Sequence, residues 1–174
     1  MSTLTVKAIE APVGYDLQMP AGHVVQVVEA VLSTGARIVT TSQTYVATGL
    51  SASITPKQTG SKIIATASGF CPHVNPGASN KGLRLATYSQ VASGGYSNID
   101  GTRATASFFL NAGGWLDGMG TIQSMFTPSY SAGQQIDVSI YILAHDSTST
   151  HYFHHDGGAG ADNRIRLILQ EVAG

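Results

Sequence analysis

Apolar and polar residues alternate along much of this chain, with the period of two that is typical of a β-strand. In residues 50–54 apolar side chains alternate with serine, and in residues 135–144 isoleucine or valine fills every second position. Such a pattern places the apolar side chains on one face of a sheet. Similar runs predict strands at residues 24–31, 37–41, 61–71, 83–89, 105–111, 122–127 and 163–172.

The segment 42–66 contains the clearest reversal of the chain. Pro56 fixes one backbone angle, Gly60 can adopt a left-handed conformation, and polar residues lie between them. Because a strand pattern precedes and follows this turn, we expect residues 42–66 to form a β-hairpin.

Strands separated by turn signals about every 8 to 12 residues, without a helical pattern, are typical of a β-sandwich or jelly roll. A chain of 174 residues is long enough for one core of ordinary size. We therefore predict an all-β fold for residues 23–174, an antiparallel β-sandwich that is jelly-roll-like.

Residues 1–22 are interrupted by prolines and glycines, which predicts an extended N-terminal arm. A flexible terminus is the simpler interpretation, but the segment is more apolar than a disordered tail requires. We expect the arm to attach to another protein through its apolar side chains, which are Val6, Ile9, Val13, Tyr15, Leu17 and Met19.

Three segments rich in glycine and polar residues predict exposed loops, at 72–82, 92–104 and 145–162. Aromatic side chains in or near loops can stack on sugar rings or contact a protein partner. The candidates for such a contact are Tyr96, Trp115, Tyr130 and Tyr152. The alternative is that each ring covers the end of the core.

The composition and charge of the chain argue against several classes of function. Only 11% of the residues are charged, against about 25% in an average domain, which predicts a surface rich in hydroxyl groups. The net charge of -1 and the lack of a basic run argue against nucleic-acid binding. Cys71 is the single cysteine, so an intrachain disulfide is excluded. Without a secretory signal or an apolar run of about 18 residues, we expect synthesis in the cytoplasm and no membrane insertion.

Histidines are concentrated near the end of the third loop. In a strand, residues three apart point to opposite faces, so His151 and His154 are badly placed to bind one ion within one chain. In a trimer, one histidine from each chain could bind a metal ion on the threefold axis, and the candidates are His151, His154 and His155. The simpler interpretation is a solvent-exposed, titrating loop.

The sequence does not favour an enzyme. It has no nucleophile elbow of the Gly-x-Ser-x-Gly type, and its glycine-rich segment 157–162 lacks the Lys-Ser/Thr of a phosphate loop. Its aspartates show no spacing that selects a pair for acid and base catalysis. We therefore expect no enzymatic activity and no cofactor.

Several segments of the chain carry a resemblance to a known family. They are Pro-Ala-Gly-His-Val-Val-Gln-Val-Val from residue 20, Thr-Tyr-Val-Ala-Thr-Gly-Leu-Ser-Ala-Ser-Ile-Thr-Pro from residue 44, Ser-Lys-Ile-Ile from residue 61 and Ile-Leu-Gln-Glu-Val-Ala-Gly from residue 168. With these segments, residues 20–66 and 163–174 resemble a domain of tailed-bacteriophage virion proteins, found in tail fibres and in capsid-attached fibres or decoration proteins.

The resemblance implies a β-sandwich knob that associates as a homotrimer and is displayed on the virion. It carries over no catalytic residue. We expect the arm to bind the major capsid protein or another virion protein.

Two functions within a virion then compete. Only about 20 residues precede the first core strand, too few for a fibre shaft, which favours a capsid decoration or head-spike protein. The alternative is a short tail-fibre or tail-tip receptor-binding protein that contacts a host surface glycan through the three loops. An enzyme that acts on host polysaccharide is a third and weaker possibility.

Overall fold

The structure, a computed structural model, describes residues 20–33, 38–70, 72–74, 81–101, 103–110, 120–131, 133–145, 147, 150–154 and 164–174. Within these ranges the chain forms twelve β-strands and no helix, so no described segment is a helix able to span a membrane. The strands are β1 (Val24–Ser33), β2 (Ile38–Thr40), β3 (Val46–Ile54), β4 (Lys62–Phe70), β5 (His73–Val74), β6 (Lys81–Val91), β7 (Ser97–Asn98), β8 (Ala106–Leu110), β9 (Gly120–Phe126), β10 (Ile136–Ala144), β11 (His151–His154) and β12 (Arg164–Val172).

The eight longer strands form the two sheets of a jelly roll. One sheet has the order β1-β12-β4-β9, and the other has the order β3-β10-β6 with β7 and β8 both paired to β6. The antiparallel pairs β1–β12, β3–β10, β4–β9 and β6–β8 join the first of these strands to the last, the second to the seventh, the third to the sixth and the fourth to the fifth. This nesting is the jelly-roll connectivity, which confirms the predicted fold class.

The core lies between the two sheets and follows the alternation seen in the sequence. In β3, Leu50 and Ile54 are buried while Ser51 and Ser53 are exposed. In β10 every second side chain from Ile136 to Ile142 is buried in the same way. β12 supplies the matching face of the opposite sheet, where Ile165, Leu167 and Leu169 are fully buried.

The predicted hairpin at residues 42–66 is wrong. β3 pairs with β10, and β4 pairs with β12 and β9, so the two strands lie in different sheets. Residues 55–61 cross from one sheet to the other instead of reversing within one. The turn signals at Pro56 and Gly60 were real, but local sequence does not distinguish a tight reversal from an arch between sheets.

The connections leave the sandwich at two opposite ends. Residues 55–61, 92–105 and 127–135 lie at the end where β1 begins, which we call the arm end. There the Gly22 amide donates a hydrogen bond to the Ala173 carbonyl (2.9 Å), and the Ala173 amide donates one to the His23 carbonyl (2.9 Å). The segments that follow β1, β4, β8 and β10 leave from the other end, which we call the far end. The predicted loops 72–82 and 145–162 thus begin at the far end, whereas 92–104 lies at the arm end.

A third, small sheet at the far end corrects two of these loop predictions. It has the order β2-β11-β5 and takes β5 from segment 72–82 and β11 from segment 145–162. Phe153 of β11 is fully buried and stacks on Phe70, with ring centroids 4.8 Å apart. The small sheet therefore closes the far end of the core.

Candidate ligand-binding surface

Four tyrosines lie side by side on the outer face of the sheet that contains β6 and β10. The rings of Tyr88 and Tyr141 are stacked, with centroids 4.1 Å apart and an interplanar angle of 25°. Tyr45 lies 5.7 Å from Tyr88, and Tyr96 lies 6.0 Å from Tyr141, both tilted with respect to their neighbour. We call Tyr45, Tyr88, Tyr141 and Tyr96 the tyrosine row.

Strand register explains why Tyr88 and Tyr141 meet. Tyr141 of β10 is opposite Ala86 of β6 and Ala47 of β3, so small side chains flank it on both sides. Tyr88 is two residues from Ala86 and reaches Tyr141 diagonally across the ladder. On the β3 side, a bulge around Gly49, whose φ is 85°, resets the register next to Tyr141. The sheet thus leaves room for both rings on its outer face.

The hydroxyl groups of the row are not bonded to other described residues. None of the described residues forms a hydrogen bond with these four phenols, and Tyr96 is 38% exposed. Burial raises the pKa of Tyr45, Tyr88 and Tyr96 above the ordinary tyrosine value. At neutral pH each of these groups is therefore protonated, and each can both donate and accept a hydrogen bond.

A fixed carboxylate lies at the end of the row near Tyr96. Asp137 accepts hydrogen bonds from Ser53 Oγ (2.5 Å) and Gln135 Nε2 (2.6 Å) on one oxygen, and from Gln90 Nε2 (2.7 Å) on the other. Burial acts to raise the pKa of Asp137, but these three hydrogen bonds outweigh it and hold the pKa below its ordinary value. Asp137 is thus ionised and held in place.

A cation and an aromatic ring outside the tyrosine row lie toward the far end. The guanidinium carbon of Arg84 is 5.6 Å from the centroid of the Phe109 ring, within the range of a cation–π contact. The Phe109 ring, 41% exposed, makes an edge contact with His145 at 5.2 Å. The same face of the sheet therefore carries a fixed anion at one end and a cation at the other.

Two open grooves flank the β6–β8 connection at the arm end. A groove of about 340 Å³ lies beside Tyr96, since its chain neighbours Gly95 and Ser97 both line it. A second groove, of about 470 Å³, lies on the other side of the connection. Their polar lining residues include Ser89, Gln90, Asn98 and Thr127 in the first, and Asp100, Arg103, Thr105 and Gln123 in the second.

The structure places the four predicted aromatic contacts in different surroundings. Tyr96 belongs to the row. The Tyr130 ring packs against the core, and its hydroxyl donates to the Gln58 carbonyl and accepts from the Ser61 amide (3.1 Å), so it supports the crossing between the sheets. Tyr152 lies in β11, where its ring makes an edge contact with His73 at 5.2 Å. Trp115 lies outside the described residues. A partner contact by any of the four stays a prediction.

The predicted metal ligands are likewise only partly visible. His151 and His154 are fully buried in β11, where a register shift between Tyr152 and His154 brings both histidines inward. They therefore do not belong to an exposed, titrating loop. The described residues contain no group of three side chains placed to bind a metal ion. His155 lies outside the described residues, as do the predicted attachment residues Val6, Ile9, Val13, Tyr15, Leu17 and Met19. Both hypotheses stay predictions.

Sequence reasoning singled out Tyr96 but missed the other three tyrosines. The signal that the sequence offered was the position of Tyr88 and Tyr141 in the alternation of apolar and polar residues along their strands. Tyr88 is an odd number of residues from Leu83 and Leu85, and Tyr141 alternates with the isoleucines of its strand, so the pattern places both tyrosines on the face opposite those apolar side chains. That the two faces meet could not be read from the sequence, because β6 and β10 are far apart along the chain.

Comparison with known proteins adds little to this description. No protein-family model matches the chain, and no curated protein is significantly similar to it. Among solved structures, a chain of infectious bursal disease virus strain Gx matches with a TM-score of 0.41 and 13% identity, over 97% of this chain and 43% of the viral one. A chain of strain Gt matches with a TM-score of 0.42 and 12% identity, over 94% and 42%. This chain thus spans less than half of each of these two viral chains, and likenesses this weak carry no argument about function.

Proposed function

We propose that this chain is a non-enzymatic structural protein of a bacteriophage particle, a homotrimeric capsid decoration protein. Its arm, residues 1–22, attaches it to the major capsid protein or another virion protein, and its jelly roll forms the knob. The observation that carries the proposal is the nested jelly-roll topology, which is common in viral capsid and lectin domains. The resemblance of residues 20–66 and 163–174 to tailed-phage virion proteins supports it independently.

The outer face of the sheet β1-β12-β4-β9 supports self-association. Val27, Val31 and Met125 are exposed there by 57%, 45% and 65%, and the half-buried Ile64 lies directly opposite Met125. We call this set, with Ile168, the aliphatic face. Apolar side chains on an otherwise polar sheet surface are a common feature of subunit interfaces. In the proposed trimer the aliphatic faces meet at the axis.

The position of the arm supports attachment at one end of the knob. The last arm residue, Gly22, is bonded to Ala173 at the arm end of the sandwich. The aliphatic face and the tyrosine row lie on the two opposite outer sheet faces, and Tyr96, at one end of the row, lies in the 92–105 connection at the arm end. An arm-anchored trimer can therefore bury one face and leave the other exposed.

Head binding tests the proposal directly. Purified protein should bind DNA-filled heads that lack it, and a variant without residues 1–22 should fold and fail to bind. A variant with Tyr96→Ala serves as the matched control, because it changes the exposed face and leaves the arm intact. Absence of head binding by the full chain would overturn the proposal, as would equal binding by the arm-deleted variant.

A receptor-binding protein at a short tail fibre or tail tip is the second candidate, favoured by the exposed tyrosine row. However, the row lies along the side of the sandwich, whereas a tip adhesin is expected to expose its ligand surface away from its anchor. If the second candidate is correct, the isolated protein at saturation should block adsorption of phage to host cells, and particles lacking the protein should have complete heads.

A further inference from the structure

We propose that the tyrosine row binds a neutral saccharide chain. The inference concerns the ligand of this one surface. It holds whether the protein decorates the capsid or belongs to the tail, and it deepens the second candidate function by naming the class of ligand.

The shape of the row favours an extended ligand. From Arg84 to Gln90 the surface follows seven residues of β6, or about 20 Å at the usual rise of a strand. Tyr88 and Tyr141 are stacked in the middle of the row, and Tyr45 and Tyr96 are tilted against them at interplanar angles of 59° and 51°. The surface thus offers four neighbouring aromatic rings.

The chemistry of the row matches a saccharide. A sugar ring has apolar C–H faces and a rim of hydroxyls, and an exposed tyrosine offers an apolar ring with a hydroxyl that donates and accepts. The four phenols of the row have no hydrogen-bond partner among the described residues. The groove lined by Gly95 and Ser97, the chain neighbours of Tyr96, carries further hydroxyl and amide groups, among them Ser97 and Asn98.

At the end of the row near Tyr96 the fixed charge disfavours an anionic ligand, whereas the cation of Arg84 lies toward the other end. Asp137 is held ionised near Tyr96, and its negative charge contributes to the raised pKa of that tyrosine. A uronate or sialate bound there would be repelled by this carboxylate. The Asp137 oxygens already accept three hydrogen bonds, so the group orients Gln90 and Gln135 and need not contact the ligand itself.

The area argues for a saccharide over a protein partner. Tyr96 is 38% exposed and Tyr45, Tyr88 and Tyr141 are half-buried, so the four side chains together present at most about 400 Å². A stable protein interface needs about 800 Å² on each partner. A short oligosaccharide needs only a surface of the smaller size.

Titration calorimetry on the full chain tests the inference, with hexasaccharides of glucose, galactose or N-acetylglucosamine as neutral probes and a galacturonic acid hexamer as the anionic probe. We expect at least one neutral hexamer to bind and the galacturonate to bind more weakly. Tyr96→Ala should weaken binding about tenfold, the loss expected for truncation of an exposed aromatic contact. Met125→Ala, on the opposite sheet, is the control and should bind as the wild type does.

A second variant distinguishes a loss of binding from a loss of the fold. Tyr88→Phe combined with Tyr141→Phe keeps the stacked rings and removes only their hydroxyls, and it should weaken binding about fivefold with an unchanged circular dichroism spectrum. The inference is overturned if no neutral hexamer binds at about 10 mM, a limit that corresponds to negligible affinity. It is also overturned if both variants bind like the wild type, or if the row is occupied by a host protein. Head binding would survive any of these failures, so the two proposals fail separately.

Discussion

Glu171 shows how much of the fold depends on a single side chain. Its carboxylate is fully buried and accepts hydrogen bonds from the amides of Lys57 (2.9 Å) and Gln58 (3.0 Å), from Ser61 Oγ (2.7 Å) and from Gln26 Nε2 (2.7 Å). It thereby joins β12 to β1 and to the crossing at residues 55–61. The sequence shows only one glutamate in an apolar strand, and the four donors come from two distant segments, so this network could not be predicted.

Replacement of Glu171 by glutamine tests this role. The amide group of glutamine would turn a donor toward donors, so we expect the free energy of unfolding at pH 7 to fall by about 2 kcal/mol. Urea unfolding followed by circular dichroism measures it. Asp100→Asn is the control, because Asp100 is exposed and its carboxylate accepts a side-chain hydrogen bond from Thr105 (3.1 Å), so the change should cost about 0.5 kcal/mol. An equal loss in the two variants would contradict the proposed role.

The same residue predicts a pH dependence of stability. Burial acts to raise the pKa of the Glu171 carboxyl, but the hydrogen bonds from Lys57, Ser61, Gln58 and Gln26 outweigh it and hold the pKa below its ordinary value of 4.5. Because the folded-state pKa is lowered, this stabilisation is present above pH 4.5 and is lost as the pH falls through the folded value. Glu171→Gln should therefore flatten the fall in stability below this pH. If the free energy of unfolding of the variant fell with pH as steeply as that of the wild type, this role of Glu171 would be contradicted.

At the scale of strands, the bulge in β4 depends on one glycine. The register between β4 and β9 shifts between Ser68 and Phe70, and Gly69 there has a φ of 79°. A Cβ atom on Gly69 would lie 2.6 Å from the Arg164 carbonyl oxygen of the neighbouring strand. Backbone conformation and space both require glycine at this position.

Gly69→Ala should therefore lower the free energy of unfolding by about 3 kcal/mol, through strain at positive φ and displacement of β12. Gly95→Ala is the control, since its backbone is unstrained and no atom lies within 4 Å of the added Cβ. It should change stability by less than about 0.5 kcal/mol. Both are compared by urea unfolding at one protein concentration, because association shifts apparent stability. A tolerated Gly69→Ala would show that the bulge can move.

Strand positions could be predicted from the sequence, but strand pairing could not. The alternation that placed β3, β10 and β12 is local, and each was found within a few residues of its observed bounds. In a jelly roll, however, most neighbours in the chain lie in opposite sheets, and partners such as β1 and β12 come from opposite ends of the sequence. The tyrosine row follows from pairing, which is why only Tyr96 was recognised in advance.

At the scale of the whole molecule, the two outer faces differ in chemistry. One carries the aliphatic face and the other carries the tyrosine row. Burial of the first against two further copies would leave the second facing outward around the trimer. The proposed self-association and the proposed ligand binding therefore use opposite surfaces and should be separable by mutation.

Val27→Glu tests this division. A charge at this position, which is 57% exposed on the aliphatic face, should convert the trimer into monomers at micromolar concentration, because the unpaired charge would be buried at the axis. Light scattering coupled to size exclusion measures the mass. Ser51→Glu adds the same charge to the opposite sheet and should remain trimeric. A monomeric wild-type protein would contradict the proposed trimer. A trimeric Val27→Glu variant would show that the interface does not include the aliphatic face.

Electron cryomicroscopy of the intact particle tests the proposed function most directly. A difference map between wild-type particles and particles that lack the gene should show threefold knobs on the outer surface of the head, each large enough for three jelly rolls and joined to the capsid at the arm end. Difference density at the tail with an unchanged head surface would contradict the capsid assignment.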